Sequence, residues 1–465
     1  MRPMPEFADK RGVPVTASTG AAVQALDAVV DDWLRFGRDT GDLLKCVAET
    51  DPDMVMAHCL RGYFFHVMGS AKLLPRAWSS LQRAEAAAHA VSQREKMHVA
   101  ALSAWCHGDL HRARDLLEQA LIEYPRDVLA LKLAHFIHFY LGDVAQQRDS
   151  VARVMDAWDD AVPGYGYVLG MRAFGLEEAG EYPAAEALGR EAVERNADDI
   201  WAGHAVAHVF EMQGRHREGI EWIVANETNW RDANNFAYHV WWHKALYHLA
   251  LEEIDAVLDL YDRRIRADRS DDYLDISNAA SLLLRLEIRG HCVGDRWDEL
   301  AEKAAARRHE HVLPFIDAHF MMPLAAKGMH AEAEDMLVSM RAWAAAHEST
   351  VSTVMRDVGI PLAEAVYAFG TGDYRAAVDL LLPIRYAVQR IGGSHAQRDI
   401  FQKILIEAAL RDLRAPLARA LLVERREARP WSPAAWKDYA RVLDAVGDAA
   451  GAADARSTAD ALLAA

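Results

Sequence analysis

From about residue 21 onward, apolar residues recur at spacings of three and four, and Ala and Leu are abundant. That period gathers them on one stripe of an α-helix. Alternation of the strand type is absent from the text. The helical stretches are broken at regular intervals. Gly108-Asp109-Leu110 and Gly142-Asp143-Val144 place their glycines 34 residues apart, and so do Gly180-Glu181-Tyr182 and Gly214-Arg215-His216. From Gly142 to Gly180 the step is 38, one further helical turn. Breaks of the same kind fall at Gly328, Gly372 and Gly447. Thirty-four residues is the tetratricopeptide period, one helix–turn–helix per unit.

The residues after each turn fit that unit. Small side chains come first (Ala113, Ala184, Ala185, Ala376, Ala377), then a large one (Leu117, Leu188, Leu380), then another small one (Ala120, Ala192). Pro125 closes one pair. The alanines admit close approach of the two helices, and the leucine fills the groove between them. A single pair cannot bury its apolar face, so pairs must stack. The expectation is an all-α, tetratricopeptide-like α-α superhelix, a solenoid of seven to eight helix pairs over 21–465. A flexible lead-in over 1–20, rich in Pro, Gly, Ser and Thr, precedes it. Between about 255 and 325 the period is weak and the pair boundaries stay open. The turn at Glu252-Glu253-Ile254 has no glycine, which leaves the phase of its unit open too.

A chain of 465 residues is longer than one compact core sustains, which suits an extended repeat array. The balance is acidic, 69 Asp and Glu against 52 Lys and Arg, for a net charge of −17. On that charge no nucleic acid and no anionic membrane is expected as a partner. The first residues hold no apolar stretch of leader type, and no run approaches a membrane span. Cys46, Cys59, Cys106 and Cys292 lie far apart without a C-x-x-C pair, as in a reducing, cytoplasmic setting. The phosphate-cradling G-x-x-x-x-G-K-[ST], the dinucleotide G-x-G-x-x-G after a strand and the hydrolase G-x-S-x-G are all missing.

In repeats of this period the first helix of each pair lines the concave surface. For the unit ending at Gly214 the inward set is Trp201, His204, His208, Glu211 and Met212. His204 and His208 stand four apart, one above the other on that face. The next unit repeats the spacing with His239 and His243, flanked by Trp241 and Trp242. First helices lie side by side in a solenoid, so the two pairs are expected to converge. Asp317 and His319, before the Gly328 turn, are candidates for the same groove. A divalent metal (Zn, Fe or Mn) would take His204, His208, His239 and His243 as ligands. The other readings of these histidines are a polar pocket without metal and a hydrogen-bonded core. His135 and His138 are expected in the core of their pair. Gly392-Gly393-Ser394 reads as a helix end followed by an N-cap, leaving Gln397, Arg398 and Asp399 unexplained in a first turn. Arg398 is a candidate clamp for an anion there.

Taken in order, a set of segments resembles the tetratricopeptide repeat protein 38 family. They are Arg148 to Arg153, His204-Ala205-Val206-Ala207-His208 with Glu211-Met212, and Trp242-His243 with Ala245-Leu246-Tyr247. Then follow Asp317-Ala318-His319-Phe320, Arg356-Asp357-Val358-Gly359 with Pro361-Leu362, and Leu381 to Tyr386. Gly392-Gly393-Ser394 and Ala396-Gln397-Arg398-Asp399 complete the set. The likeness spans about residues 50 to 425. It implies a helical-repeat fold and a cytosolic protein, and it brings no activity. His395 stands where the family often carries a different polar residue.

Two functions follow as expectations. In the first, the concave groove binds a small molecule or a peptide or protein partner through Trp201, His204, His208, His239, Trp242, His243, His319, Arg398 and Asp399. In the second, the same groove is a His-rich, metal-dependent hydrolase or lyase site. There Glu211 or Asp317 serves as general base and Arg398 orients an anionic substrate. Histidine, Trp and Met at inward positions suit a small, partly apolar pocket better than a charged peptide tail.

Overall fold

Every glycine that marks a repeat turn (108, 142, 180, 214, 328, 372 and 447) has a left-handed backbone, with φ between 65° and 84°. Only glycine adopts that conformation without a Cβ clash, which is why the period is written in glycine. Where the pattern lacks glycine the conformation is kept at a cost. Glu252 turns at φ 62°, its carboxylate held by Lys437 Nζ at 2.7 Å, and Leu413 at φ 55°. The phase left open at Glu252 is therefore the ordinary one. The computed structural model describes residues 5–464.

The architecture is an all-α helical repeat of the tetratricopeptide type, divided into two compact units. The first comprises residues 1–206, 226–237 and 346–354. Its pairs include Gln93–Cys106 with Leu110–Glu123, Val128–Leu141 with Val144–Val154, and Tyr165–Glu178 with Tyr182–Arg195. Ala113, Leu117, Ala120, Ala185 and Ala192 are fully buried between paired helices, as the close-approach argument requires. Leu188 is only half-buried. The 38-residue step is filled by a 3₁₀ turn at Met155–Ala157 and the loop that follows it.

The lead-in expected to be flexible over 1–20 is corrected. Strand β1 (Glu6–Ala8) pairs antiparallel with β2 (Pro14–Thr16). Arg11 at the hairpin is 3% exposed and bonds Asp31 Oδ1 at 2.7 Å. The Thr16 hydroxyl donates to Glu95 Oε2 at 2.6 Å, with Val15 and Ala17 fully buried. Six paired residues carry too short an alternation to register against a helical background. Residues 1–4 of that segment lie outside the described residues.

The second unit comprises residues 207–225, 238–345 and 355–465. Helices α1 (Ile200–Gln213) and α2 (Phe236–Ala250) each begin in the first unit and end in the second. Then come α3 (Tyr273–Ile288), α4 (Pro314–Ala326), α5 (His395–Arg411), α6 (Ala415–Ala428) and α7 (Pro433–Ala445). Helix α3 packs on α4 and α5, and α5, α6 and α7 follow side by side. The weak period between 255 and 325 has a local cause. The helix starting at Ile254 widens into a π turn over Tyr261–Ile265, which inserts one residue and shifts the apolar stripe. A second π turn spans Met355–Gly359.

Candidate metal centre

Three of the four histidines belong to the second unit and lie together. His208 comes from α1, His239 and His243 from successive turns of α2, and none exceeds 3% exposure. Ring centroids are 4.3 Å apart for His208 and His243 and 4.8 Å for His239 and His243. The three offer ring nitrogens within 4.8 Å of one another. His204 stands one turn earlier on α1, within the first unit. The i, i+4 spacing sets the positions of His239 and His243 on α2. His204 itself packs among aromatic rings of the first unit, Phe174 at 5.5 Å, Trp201 at 5.2 Å and Phe236 at 5.1 Å. Trp242 is fully buried and stacks on His239 at 5.4 Å.

Burial dominates the electrostatics. It pushes His239 down to about 3, against a hydrogen bond from Asn278 that opposes the shift. It holds His208 and His243 well below the ordinary imidazole value, helped by their neighbours. These rings are neutral at pH 7, which is the state that binds metal.

A hydrogen-bond relay within the second unit fixes the tautomer of His239. Ser394 and Gln397 form a capping box at the start of α5, and the Ser394 backbone N–H donates to Gln397 Oε1 at 3.0 Å. That bond orients the amide, so Gln397 Nε2 donates to Asn278 Oδ1 at 3.3 Å. Asn278 Nδ2 then donates to His239 Nδ1 at 2.9 Å. His239 Nδ1 is thereby an acceptor, and the ring proton sits on Nε2. Gln397, unexplained from sequence, is the anchor of this relay. Asn278 was missed altogether. Its one signal is a polar side chain inside the apolar stretch of α3, where it is 2% exposed.

The remaining candidates have other partners. Asp317 Oδ1 faces His311 Nδ1 at 2.9 Å. The His319 ring bonds the Phe315 carbonyl through Nδ1 at 2.8 Å and packs on Phe315 and Phe401. Glu211 lies one turn beyond His208, with Arg429 3.8 Å from its Oε1, and burial raises its carboxyl. Asp399 is gripped by Arg425 at 2.9 and 3.3 Å and approached by Lys403 at 3.3 Å. Burial alone would raise the Asp399 carboxyl, but Arg425, Arg429 and Lys403 outweigh it and hold it well below the carboxylate range. Arg398 donates to the Gly393 carbonyl and approaches His395 Nδ1 at 3.4 Å. Trp201 lies in an aromatic cluster of the first unit with Phe36 and Phe136, beneath the Lys132 ammonium. His135 and His138 are core groups, and His138 bonds Glu118 at 2.9 Å. Trp201, Trp242 and the four histidines are all at least 95% buried, so they do not wall an open peptide groove.

These features define a helical-repeat protein with buried polar sites. No family model matches the chain. Among solved structures it is similar to human IFIT1 dimers. One was solved with m7Gppp-AAAA (TM-score 0.43, 14% identity, 97% of this chain and 96% of that one). Another was solved with PPP-AAAA (TM-score 0.42, 14% identity, 88% and 91%). A Naa15/Naa10 structure bound to HypK-THB is more distant (TM-score 0.25, 14% identity, 95% of this chain and 63% of that one). The expected exclusion of nucleic acid is withdrawn, since the IFIT1 structures were solved with PPP-AAAA and m7Gppp-AAAA. The physical error lay in using a net charge of −17, which averages over the surface and says nothing of local fields. For the described residues, no helix is long and apolar enough to cross a membrane.

Proposed function

We propose that the protein is a metal-binding helical-repeat protein of the tetratricopeptide repeat protein 38 type. It holds a zinc-class divalent ion at His208 and His243. The observation that carries this reading is the set of buried, neutral imidazoles whose nitrogens lie within 4.8 Å. Tetrahedral ligands at zinc are separated by about 3.4 Å, so a closure of up to about 1.4 Å draws the set in. An all-imidazole shell suits zinc better than manganese, which prefers carboxylates. His239, with its proton on Nε2, is a hydrogen-bond donor to whatever fills the next coordination position. Arg285 is near enough to lower His243, so an anionic co-ligand such as hydroxide accompanies the ion. In this reading Glu211 and Asp317 have no proton-transfer role.

The motifs that carry the family resemblance support the reading. His208, His243 and Gln397 all come from them, and each contributes to the ring set or its relay. A cytoplasmic setting accords with four unpaired thiols.

The test is calorimetric titration of chelator-treated protein with zinc at pH 7.5. One zinc per chain is expected, with no proton released by His208 or His243. His243→Ala should weaken the affinity by about a hundredfold or more. Titration without saturable uptake, or uptake indifferent to His243→Ala, would contradict the proposal.

A further inference from the structure

Away from the histidines, the second unit contains a cavity of about 780 Å³ bordered by the turn after α2, the end of α3, and α5, α6 and α7. Seven of its lining side chains are cationic and four are carboxylates, in a chain whose balance runs the other way. The outer cations are paired. Lys437 holds Glu252 at 2.7 Å, and Arg411 and Arg441 hold Glu407 at 2.7 and 2.8 Å. Glu287 is engaged by the Trp297 indole N–H at 2.9 Å.

The inner wall is not balanced in this way. Arg285 is 3% exposed and its guanidinium donates to the backbone carbonyls of Ala396 and Ser281, at 2.8 and 3.2 Å. Arg289 donates to the Leu249 carbonyl. Among the described residues neither has a carboxylate within ion-pair distance. Lys403 and Arg425 share one carboxylate, Asp399, with Arg429 a further 3.7 Å away. Burial pushes Arg285 down to about 10 and Lys403 down to about 7, with neighbouring arginines adding to the effect on Lys403. Cations taken out of water without counter-charge are costly, and an anion in the cavity relieves that cost.

We propose that this cavity is a binding site for a small, multiply charged anion, a phosphorylated or polycarboxylate metabolite, gripped by Arg289 and Lys403 above Arg285 and Arg425. Guanidinium forks match phosphate and carboxylate oxygens in pairs. The volume is that of a small-ligand pocket. Ile254, Ile288 and Ile406 offer room for a short aliphatic body, and no Phe, Tyr or Trp is among the lining residues.

Inorganic triphosphate and citrate are the probes, titrated calorimetrically into the full-length chain at 150 mM salt. Running them in both wild type and His243→Ala separates this site from the metal centre, because the cavity is expected to bind equally in both. One anion per chain is expected. Arg289→Gln and Lys403→Met should each weaken it at least tenfold, whereas Lys403→Arg should retain it. Tighter triphosphate identifies the phosphoryl class and tighter citrate the polycarboxylate class. Absence of saturable binding of either anion, or binding indifferent to both Arg289→Gln and Lys403→Met, overturns the proposal.

Discussion

Lowering the pH from 7.5 to 5 should reduce the melting temperature of the metal-free protein by about 10 °C. The cause is a group of histidines that folding keeps neutral. Burial pushes His66 and His216 down to about 4, and His239 and His319 down to about 3. In the unfolded chain each titrates near 6.5. Between those values the unfolded state binds more protons than the native state, so stability rises with pH and falls as acid is added. By pH 5 the loss approaches roughly 2 kcal/mol per histidine in the limit of full desolvation. Even half that for four residues totals about 4 kcal/mol, or about 10 °C for units of this size. Some groups act in the opposite direction. Burial raises Asp199 to about 7 and raises Asp317 and Glu211, while carboxylate bonds outweigh burial to raise His138. Burial also lowers His58, His135, His208 and His243, so the histidines outnumber these groups, and the decline starts near pH 6.5, not at the carboxylate range. Thermal unfolding at pH 7.5, 6 and 5 decides the matter, since a flat melting temperature down to pH 4 contradicts this account.

Asn278→Asp should tighten zinc binding by roughly tenfold to a hundredfold, the size of a carboxylate–histidine outer-shell contact. In the wild type the Asn278 amide N–H occupies His239 Nδ1 and leaves the proton on Nε2. A carboxylate there accepts from Nδ1–H instead, which bares the Nε2 lone pair and adds His239 to the ligand set. Its second oxygen still accepts from Gln397 Nε2, so the relay from the Ser394 capping box survives. The added negative charge also offsets the buried dication. Zinc titration reports the affinity and near-ultraviolet circular dichroism reports the packing. A well-folded Asn278→Asp protein that binds zinc no tighter than wild type refutes the tautomer argument.

Much of the fold was legible because repeat turns need a left-handed residue and glycine supplies it. At the turn where the pattern lacked glycine, Glu252 takes that conformation instead, and Leu413 does the same farther along the chain. The hairpin before Gly20 was illegible because its burial depends on Arg11 and Thr16 meeting Asp31 and Glu95, partners 20 and 79 residues away. The histidine pairs could be read from i, i+4 spacing, a property of single helices. Asn278 could not, since its role depends on α3 meeting α2 and α5. The anion cavity was likewise hidden. Arg285 and Arg289 are a visible i, i+4 pair, but Lys403 and Arg425 join them from more than a hundred residues on. The burial of Trp201, Trp242 and the histidines depends on packing that periodicity does not encode.

Whether buried imidazoles are the ligands of a metal ion is read from X-ray absorption at the zinc edge of the loaded protein. The expected first shell is nitrogen and oxygen only, at about 2.0–2.1 Å, with the outer-ring scattering of at least two imidazoles, lost in His243→Ala. A spectrum showing sulfur ligands, or zinc without imidazole scattering, contradicts it.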